Sequence, residues 1–235
     1  MSTYEIRHEP EKTSPWPLLL TLGGIAMVSG LLVVLAYQIT RPMIEANQRA
    51  AVARAISQVI PGAVSHRAFI IDESGLRPAE EGERGDIIYA GYDEKGRLVG
   101  IAARASAQGY ADIIHMLYGY DPRCQCIRGL KVLKMAETPG LGDRIKSDPA
   151  FLKNFQALDA RLSADGKDLE HRIVTVKHGK KRHPWEIDAI SGATISSRAV
   201  GRALDASARR ILPLLMPHIG ELERAAPRNG KEVKR

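Results

Sequence analysis

Apolar positions crowd the start of the chain and then thin into short alternating runs. From Thr13 to Thr40 no residue carries a formal charge, and Leu18–Ile39 is almost wholly apolar. A helix needs about 20 apolar residues to cross the hydrocarbon core of a bilayer, so 18–39 reads as a transmembrane helix. A cleavable signal peptide is the rival. It would have a shorter apolar core and a small-residue cleavage site, and Val33–Gln38 holds no clean A-x-A site. Trp16 and Tyr37 bracket the span as interfacial aromatics do, and Gly23, Gly24 and Gly30 allow close packing against partner helices.

Past the span the periodicity changes twice. Ala46, Ala50, Ala53, Ile56 and Ile60 recur at steps of three and four within Met43–Ile60, a helix that continues from the anchor and is ended by Pro61-Gly62. Short β-like runs follow at Arg67–Ile71, Ile87–Tyr92, Leu98–Ala105, Ile113–Tyr118 and Ile127–Met135, with Asp93-Glu-Lys-Gly96 as a hairpin turn. Asp148-Pro149 opens a helix with Phe151, Leu152, Phe155 and Leu158 on one side. His171–Lys177 is a further strand, followed by a basic turn at His178–His183. A closing helix over about Ser196–Leu212 carries the stripe Val200, Ala203, Leu204, Ala208, Ile211, Leu212 and Leu215. Strands in hairpins with helices set apart predict an α+β domain. No G-x-G-x-x-G follows a first strand, so a dinucleotide fold has no support.

The predicted organisation is an N-terminal segment at 1–17, the membrane helix at 18–39, a connecting helix at 43–62, a globular domain at 63–218 and a basic flexible tail at 219–235. The formal charge of +7 falls after the span, because residues 1–42 hold three acids and three bases. Such a balance suits anionic lipid or an acidic partner surface. Nucleic acid is a poor reading, and no nucleic-acid partner is expected: 5% of residues are aromatic, no reader motif is present and the domain is expected to be membrane-anchored. Arg7 and Lys12 precede the span while Arg41, Arg49 and Arg54 follow it, so charge does not fix the orientation. Cys124 and Cys126 are the only cysteines. The spacing is too close for an easy disulfide and too sparse for a metal site on its own. A ligand pair shared with a partner protein and a partly buried strand-edge pair of thiols both stay open.

Three segments carry candidate chemistry. In Asp188-Ala-Ile-Ser191-Gly192-Ala193-Thr194, Gly192 and Ala193 leave little bulk, so a large planar group could approach the backbone. Ser191, Thr194, Ser196 and Ser197 supply hydroxyls at the start of the closing helix. A phosphoester on Thr194 would sit near that helix N-terminus, where free N–H groups and the dipole favour an anion. Taken alone, an ordinary Ser/Thr helix cap serves equally well. In Glu137-Thr138-Pro139-Gly140-Leu141-Gly142, Pro139-Gly140 forces a turn. Thr138 and the loop N–H groups are donors suited to a polar ring edge, and the plain alternative is a surface turn with Glu137 solvated. Ala107-Gln-Gly109-Tyr110-Ala-Asp112-Ile113 is a glycine-bearing strand entry. Tyr110 stacks near a cofactor or packs in the core or at its rim.

The first segment resembles the D-x-x-[S/T]-G-A-T signature, and the second the E-T-P-G-L-G loop, of the FMN-binding domain in RnfG, from the Rnf electron-transport complex, and in NqrC, from the Na⁺-pumping quinone reductase. The third is similar to the G-Y-x-G-x-I entry of these domains, with Ala111 in place of the second glycine, and Ala136 stands where many relatives have His. The resemblance covers about residues 86–212. It implies a small antiparallel sheet with packed helices, carrying FMN esterified through its phosphate to Thr194. Ser191, Gly192, Ala193, Glu137, Thr138, Gly140, Leu141 and Tyr110 would line the flavin, and no metal is bound. Asp188 would be a recognition residue for a separate Mg²⁺-dependent flavin transferase that uses FAD, although it could equally cap the loop. The resemblance further implies an N-terminus in the cytoplasm, an inner-membrane anchor, a periplasmic flavin domain, and other membrane and iron–sulfur or flavin proteins of the complex as partners. The function expected is electron relay, not independent catalysis. An NqrC-type role in a quinone reductase, a membrane-bound flavin sensor and a flavin-free structural protein are the competing readings.

Overall fold

The computed structural model describes residues 14–80, 83 and 85–226. The first element is a single helix, α1 (Pro15–Val59), 45 residues long with Pro42 inside it. Contacts divide the chain into two units, one ending at Arg49 and the other starting at Ala50. In the first unit the apolar side chains of α1, from Trp16 through Ile39, are exposed. The helix is long and apolar enough to cross a membrane. Exposure sets it apart from the amphipathic helices of a globular core, which hide one face.

The second unit is built on a seven-stranded sheet. Its strands are β1 (Ser65–Asp72), β2 (Gly75–Pro78), β3 (Ile87–Tyr92), β4 (Leu98–Gln108), β5 (Ile113–Asp121), β6 (Cys126–Lys134) and β7 (Leu158–Asp159). Their order is β2-β1-β3-β4-β5-β6-β7, with every pair antiparallel. Side chains alternate between the two faces of a strand. On β4, Ile101, Ala103 and Ala105 therefore join the main core with α3 (Thr194–Leu215), while Ala102 joins the smaller cluster on the other face. That cluster is closed by the last turns of α1 through Ala55, Ile56 and Val59, together with Ile60. Gly119 and Gly129 let the end of this helix lie directly on the strands. A Cβ on Gly129 would stand 2.7 Å from the Val59 Cα, and one on Gly119 would run into the Val59 carbonyl.

Four sequence expectations change. The helix opened by Asp148 is short, α2 (Pro149–Lys153), with Asp148 accepting the Ala150 and Phe151 N–H groups. Asn154 ends it by donating to the Phe151 carbonyl at 2.9 Å. Phe155 and Leu158 are still buried, but Leu158 reaches the core from β7, opposite Ile127. The strand expected at 171–177 reduces to β8 (Val174–Val176), which pairs in parallel with β9 (Glu186–Asp188). In place of a basic tail starting at 219, Ile219–Arg224 forms α4, with Leu222 buried and its carbonyl accepting the Tyr92 hydroxyl at 2.8 Å. The residues from 227 to 235 lie outside the described residues.

The fourth change concerns the cysteines. Cys124 and Cys126 form a disulfide at the β5–β6 turn, and neither is a free thiol. The left-handed conformation of Gln125 (φ +50°) folds the intervening residue out of the way, and the two Cα atoms stand 5.2 Å apart. Gln125 also holds the next segment, its carbonyl and side-chain oxygen accepting the N–H groups of Ala160 (3.0 Å) and Leu162 (3.2 Å).

Candidate functional site

Three segments far apart in sequence meet at the start of α3. Glu137, which follows β6, is buried. One of its carboxylate oxygens accepts the N–H of Ala111 at 3.1 Å, and the other accepts the hydroxyl of Ser196. Close approach around this carboxylate is possible because its neighbours are Gly109 and Gly142, where a Cβ would collide with Glu137 oxygens. The plain alternative of a solvated Glu137 is thereby excluded: its carboxylate ties the 109–112 turn and the 137–142 loop to the first turn of α3, one oxygen to each.

The loop after Glu137 is a compact turn. Leu141 and Asp143 N–H groups point to the Thr138 carbonyl at 3.2 and 3.4 Å, and Gly140 has φ +76°. Thr138, Pro139, Gly140 and Leu141 are exposed, so the loop presents its outer surface. Leu141 turns toward the second motif, its Cδ2 lying 3.8 Å from where a Gly192 Cβ would be. Gly192 has φ +82°, a conformation that a side chain would strain.

Thr194 is the first residue of α3. Among the described residues no group hydrogen-bonds its hydroxyl, and no side chain caps the helix. The reading of Ser191–Ser197 as an ordinary Ser/Thr cap is therefore not what the chain does. Ser197 instead braces the turn from inside, accepting the Ile190 N–H at 3.1 Å and donating to the Ala193 carbonyl at 2.9 Å. The N–H groups of Thr194, Ile195 and Ser196 lie in the first turn, where no carbonyl of the helix is available to them. Free N–H groups at the positive end of a 22-residue helix suit an anion such as a phosphoryl group.

Around this helix start stand three exposed apolar side chains: Tyr110 (68% exposed), Leu141 (51%) and Ile195 (51%). Core packing of Tyr110 is thus excluded, and the rim or cofactor-facing alternative stands. Apolar side chains grouped at a surface offer a place for a flat apolar ring to pack. Ile195 escaped the sequence reading because the D-x-x-S-G-A-T string ends one residue earlier. Arg144 escaped it as well. It reaches from the turn at Gly142–Lys146 to the Ser191 carbonyl at 3.4 Å and pairs with Asp148 at 2.7 Å. The N–H of Phe151 and the Arg144 guanidinium hold the Asp148 carboxyl below the usual carboxylate range.

Asp188 is placed at the end of β9, facing the basic turn. Its Oδ1 accepts the Gly179 N–H at 2.7 Å, and its Oδ2 lies 3.4 Å from His178 Nδ1. Asn154 clamps its backbone, accepting from the N–H at 3.0 Å and donating to the carbonyl at 3.2 Å. The residues present fit an FMN: open N–H groups for its phosphate, a half-buried Thr194 whose hydroxyl has no hydrogen bond among the described residues, and an apolar rim for its ring.

Comparison with known proteins agrees with this geometry. Residues 109–208 match the FMN-binding domain model, and residues 20–59 match the model of the RnfG N-terminal region. The G subunit of an ion-translocating oxidoreductase complex from Haemophilus influenzae (strain PittEE) is 30% identical over 184 residues, covering 77% of this chain and 82% of that protein. The protein of the same description from Methanosarcina acetivorans is 29% identical over 190 residues, covering 80% and 89%. The crystal structure of Shewanella oneidensis NqrC shares the fold, with a TM-score of 0.60 at 18% identity over 77% of this chain and 100% of that one.

Proposed function

Since the chain belongs to the RnfG family, the G subunits of ion-translocating oxidoreductase complexes, we propose that it is a membrane-anchored flavoprotein relaying electrons within such a complex, with FMN esterified to Thr194. The observation that carries this reading is the meeting of the Glu137 loop and the start of α3 around a half-buried Thr194, whose hydroxyl no described residue hydrogen-bonds, and unpaired N–H groups. When bound, the flavin takes up or releases electrons singly or in pairs, and the protein positions and tunes it.

The chain's own residues do the holding. The N–H groups of Thr194, Ile195 and Ser196 would hold the phosphoryl group, and Tyr110, Leu141 and Ile195 would form the apolar rim for the ring. Glu137, through Ala111 and Ser196, keeps the three segments in register. Attachment would need Thr194 Oγ1 as the acceptor of the flavin phosphate, with AMP leaving from FAD and the hydroxyl proton taken up by a base. Among the described residues none contacts the Thr194 hydroxyl to serve as that base, which fits maturation by a separate flavin transferase. Asp188, whose carboxylate accepts the Gly179 N–H and whose backbone is held by Asn154, presents a fixed backbone to that enzyme.

The long exposed apolar helix anchors the protein, with the flavin domain on the periplasmic face of the inner membrane. The match of residues 20–59 to the RnfG N-terminal region favours this family over the NqrC type, which the chain resembles in fold.

Intact mass of the exported protein, made with an active flavin transferase, tests the assignment against Thr194→Ala. Wild type should gain one FMN less one water, and the variant nothing. An unmodified wild type, or an ester retained in the variant, sinks it.

A further inference from the structure

Between β8 and β9 the chain runs Lys177-His178-Gly179-Lys180-Lys181-Arg182-His183, with six basic or imidazole side chains in seven residues. Two carboxylates of β9 grip this loop by its backbone. Glu186 Oε2 accepts the N–H groups of Arg182 (2.6 Å) and His183 (3.0 Å), and Asp188 Oδ1 accepts that of Gly179 (2.7 Å). Lys181 donates to Asn154 Oδ1 at 3.1 Å. Lys177, Lys180 and Arg182 are exposed, and among the described residues they make no ion pair. The far end of the loop is stiffened by stacking: the His183 ring lies parallel to the Trp185 indole at 4.6 Å, and the His171 ring does so at 3.7 Å.

We propose that this loop is the docking surface for an acidic face of a protein redox partner. The proposal rests on the reading of the chain as an electron relay. Asp188 both opens the Thr194 motif and anchors the loop, so a partner held by these cations is held on the segment that leads into Thr194. A pinned backbone lowers the ordering cost of association, and unpaired surface cations steer an acidic partner at long range. Other occupants suit the loop less. Its seven residues include no apolar side chain to enter a lipid surface. The one nearby indole is already engaged by two imidazoles, which leaves no stacking platform for nucleic-acid bases.

The test uses the full-length protein in detergent and the remaining subunits of the complex, purified from a strain lacking this chain. The triple variant Lys177→Glu, Lys180→Glu, Arg182→Glu should associate about tenfold more slowly at low salt, with the gap closing as salt rises. The matching glutamine triple variant should fall between. Equal association of wild type and charge-reversed protein, or no association of the wild type, overturns the proposal. So does a charge-reversed protein that joins the complex normally but no longer binds vesicles containing phosphatidylglycerol, which assigns the loop to lipid. Association is read by assembly, not by electron flow, and intact mass reports flavin on every sample. A chain that docks without flavin therefore refutes the electron-relay reading and not this one.

Discussion

The hydroxyl of Ser196, two residues past Thr194, donates to the buried carboxylate of Glu137, 59 residues upstream. This single contact joins the two sequence motifs of the site. Replacing Glu137 by Ala strands the Ala111 N–H and the Ser196 hydroxyl. A buried polar group left unsatisfied costs about 1–3 kcal/mol. Chemical denaturation of Glu137→Ala should show a loss of that size, together with slower flavin attachment. Glu137→Gln keeps an acceptor for Ala111 and should lose less.

Ser197 and Thr194 should separate stability from chemistry. Ser197→Ala removes the acceptor of the Ile190 N–H in the core and should cost about 1–3 kcal/mol. Thr194→Ala removes a hydroxyl with no hydrogen bond and should change stability by less than about 0.5 kcal/mol. Denaturation midpoints and intact mass on both variants should move in opposite patterns: Ser197→Ala is destabilised yet still carries flavin, whereas Thr194→Ala is stable and bare.

Gly119→Ala should be more damaging than its one added methyl suggests. The new Cβ meets the backbone carbonyl of Val59, which cannot swing aside as a flexible side chain would. Overpacking of this kind costs about 1–3 kcal/mol. Hydrogen exchange should show the loss concentrated in residues 55–60, and an undisturbed exchange pattern there would refute the close approach.

Asp168 gives a pH signature. Arg209 and the Leu169 N–H hold its carboxyl down at about 2, against an ordinary 3.8. The folded protein therefore binds its proton less readily than the unfolded chain. Its contribution is fully present above about pH 4 and is lost as pH falls through about 2. The pair is half-exposed, which keeps the effect small. Asp168→Asn should flatten the fall in Tm between pH 4 and 2 while leaving the slope above pH 5 unchanged. An unaltered acid limb would rule the pair out.

Much of this fold is legible from periodicity. The long apolar run, the hairpin strands and the stripe of α3 each follow from repeats of two or of three to four positions. What escapes depends on distant partners. Phe151, Leu152, Phe155 and Leu158 have helical spacing, yet Phe151, Phe155 and Leu158 bury from a five-residue helix, a turn and a strand, and Leu152 stays half-buried, because tertiary packing chose the backbone. The parallel pairing of Val174–Val176 with Glu186–Asp188 has no local signature. The site's residue types can be read as strings, but the burial of Glu137 cannot, since it needs Gly109 and Gly142 to leave room from both sides. Arg144 and Ile195 carry no motif signal and emerge only from where the chain puts them.

The disulfide at the β5–β6 turn has a consequence for biogenesis. Cysteines two residues apart meet as soon as Gln125 takes up its left-handed turn, with no need for distant segments to assemble first. Closure therefore tracks the thiol chemistry around the emerging hairpin: the bond persists in an oxidising compartment and stays open where cellular thiols keep cysteines reduced. The bond is a built-in record of which side of the membrane the domain matured on, a question that Arg7 and Lys12 before the span and Arg41, Arg49 and Arg54 after it leave open. Blocking thiols in freshly lysed cells and weighing the chain reads that record directly: no added label means export, and two labels mean retention in the cytosol.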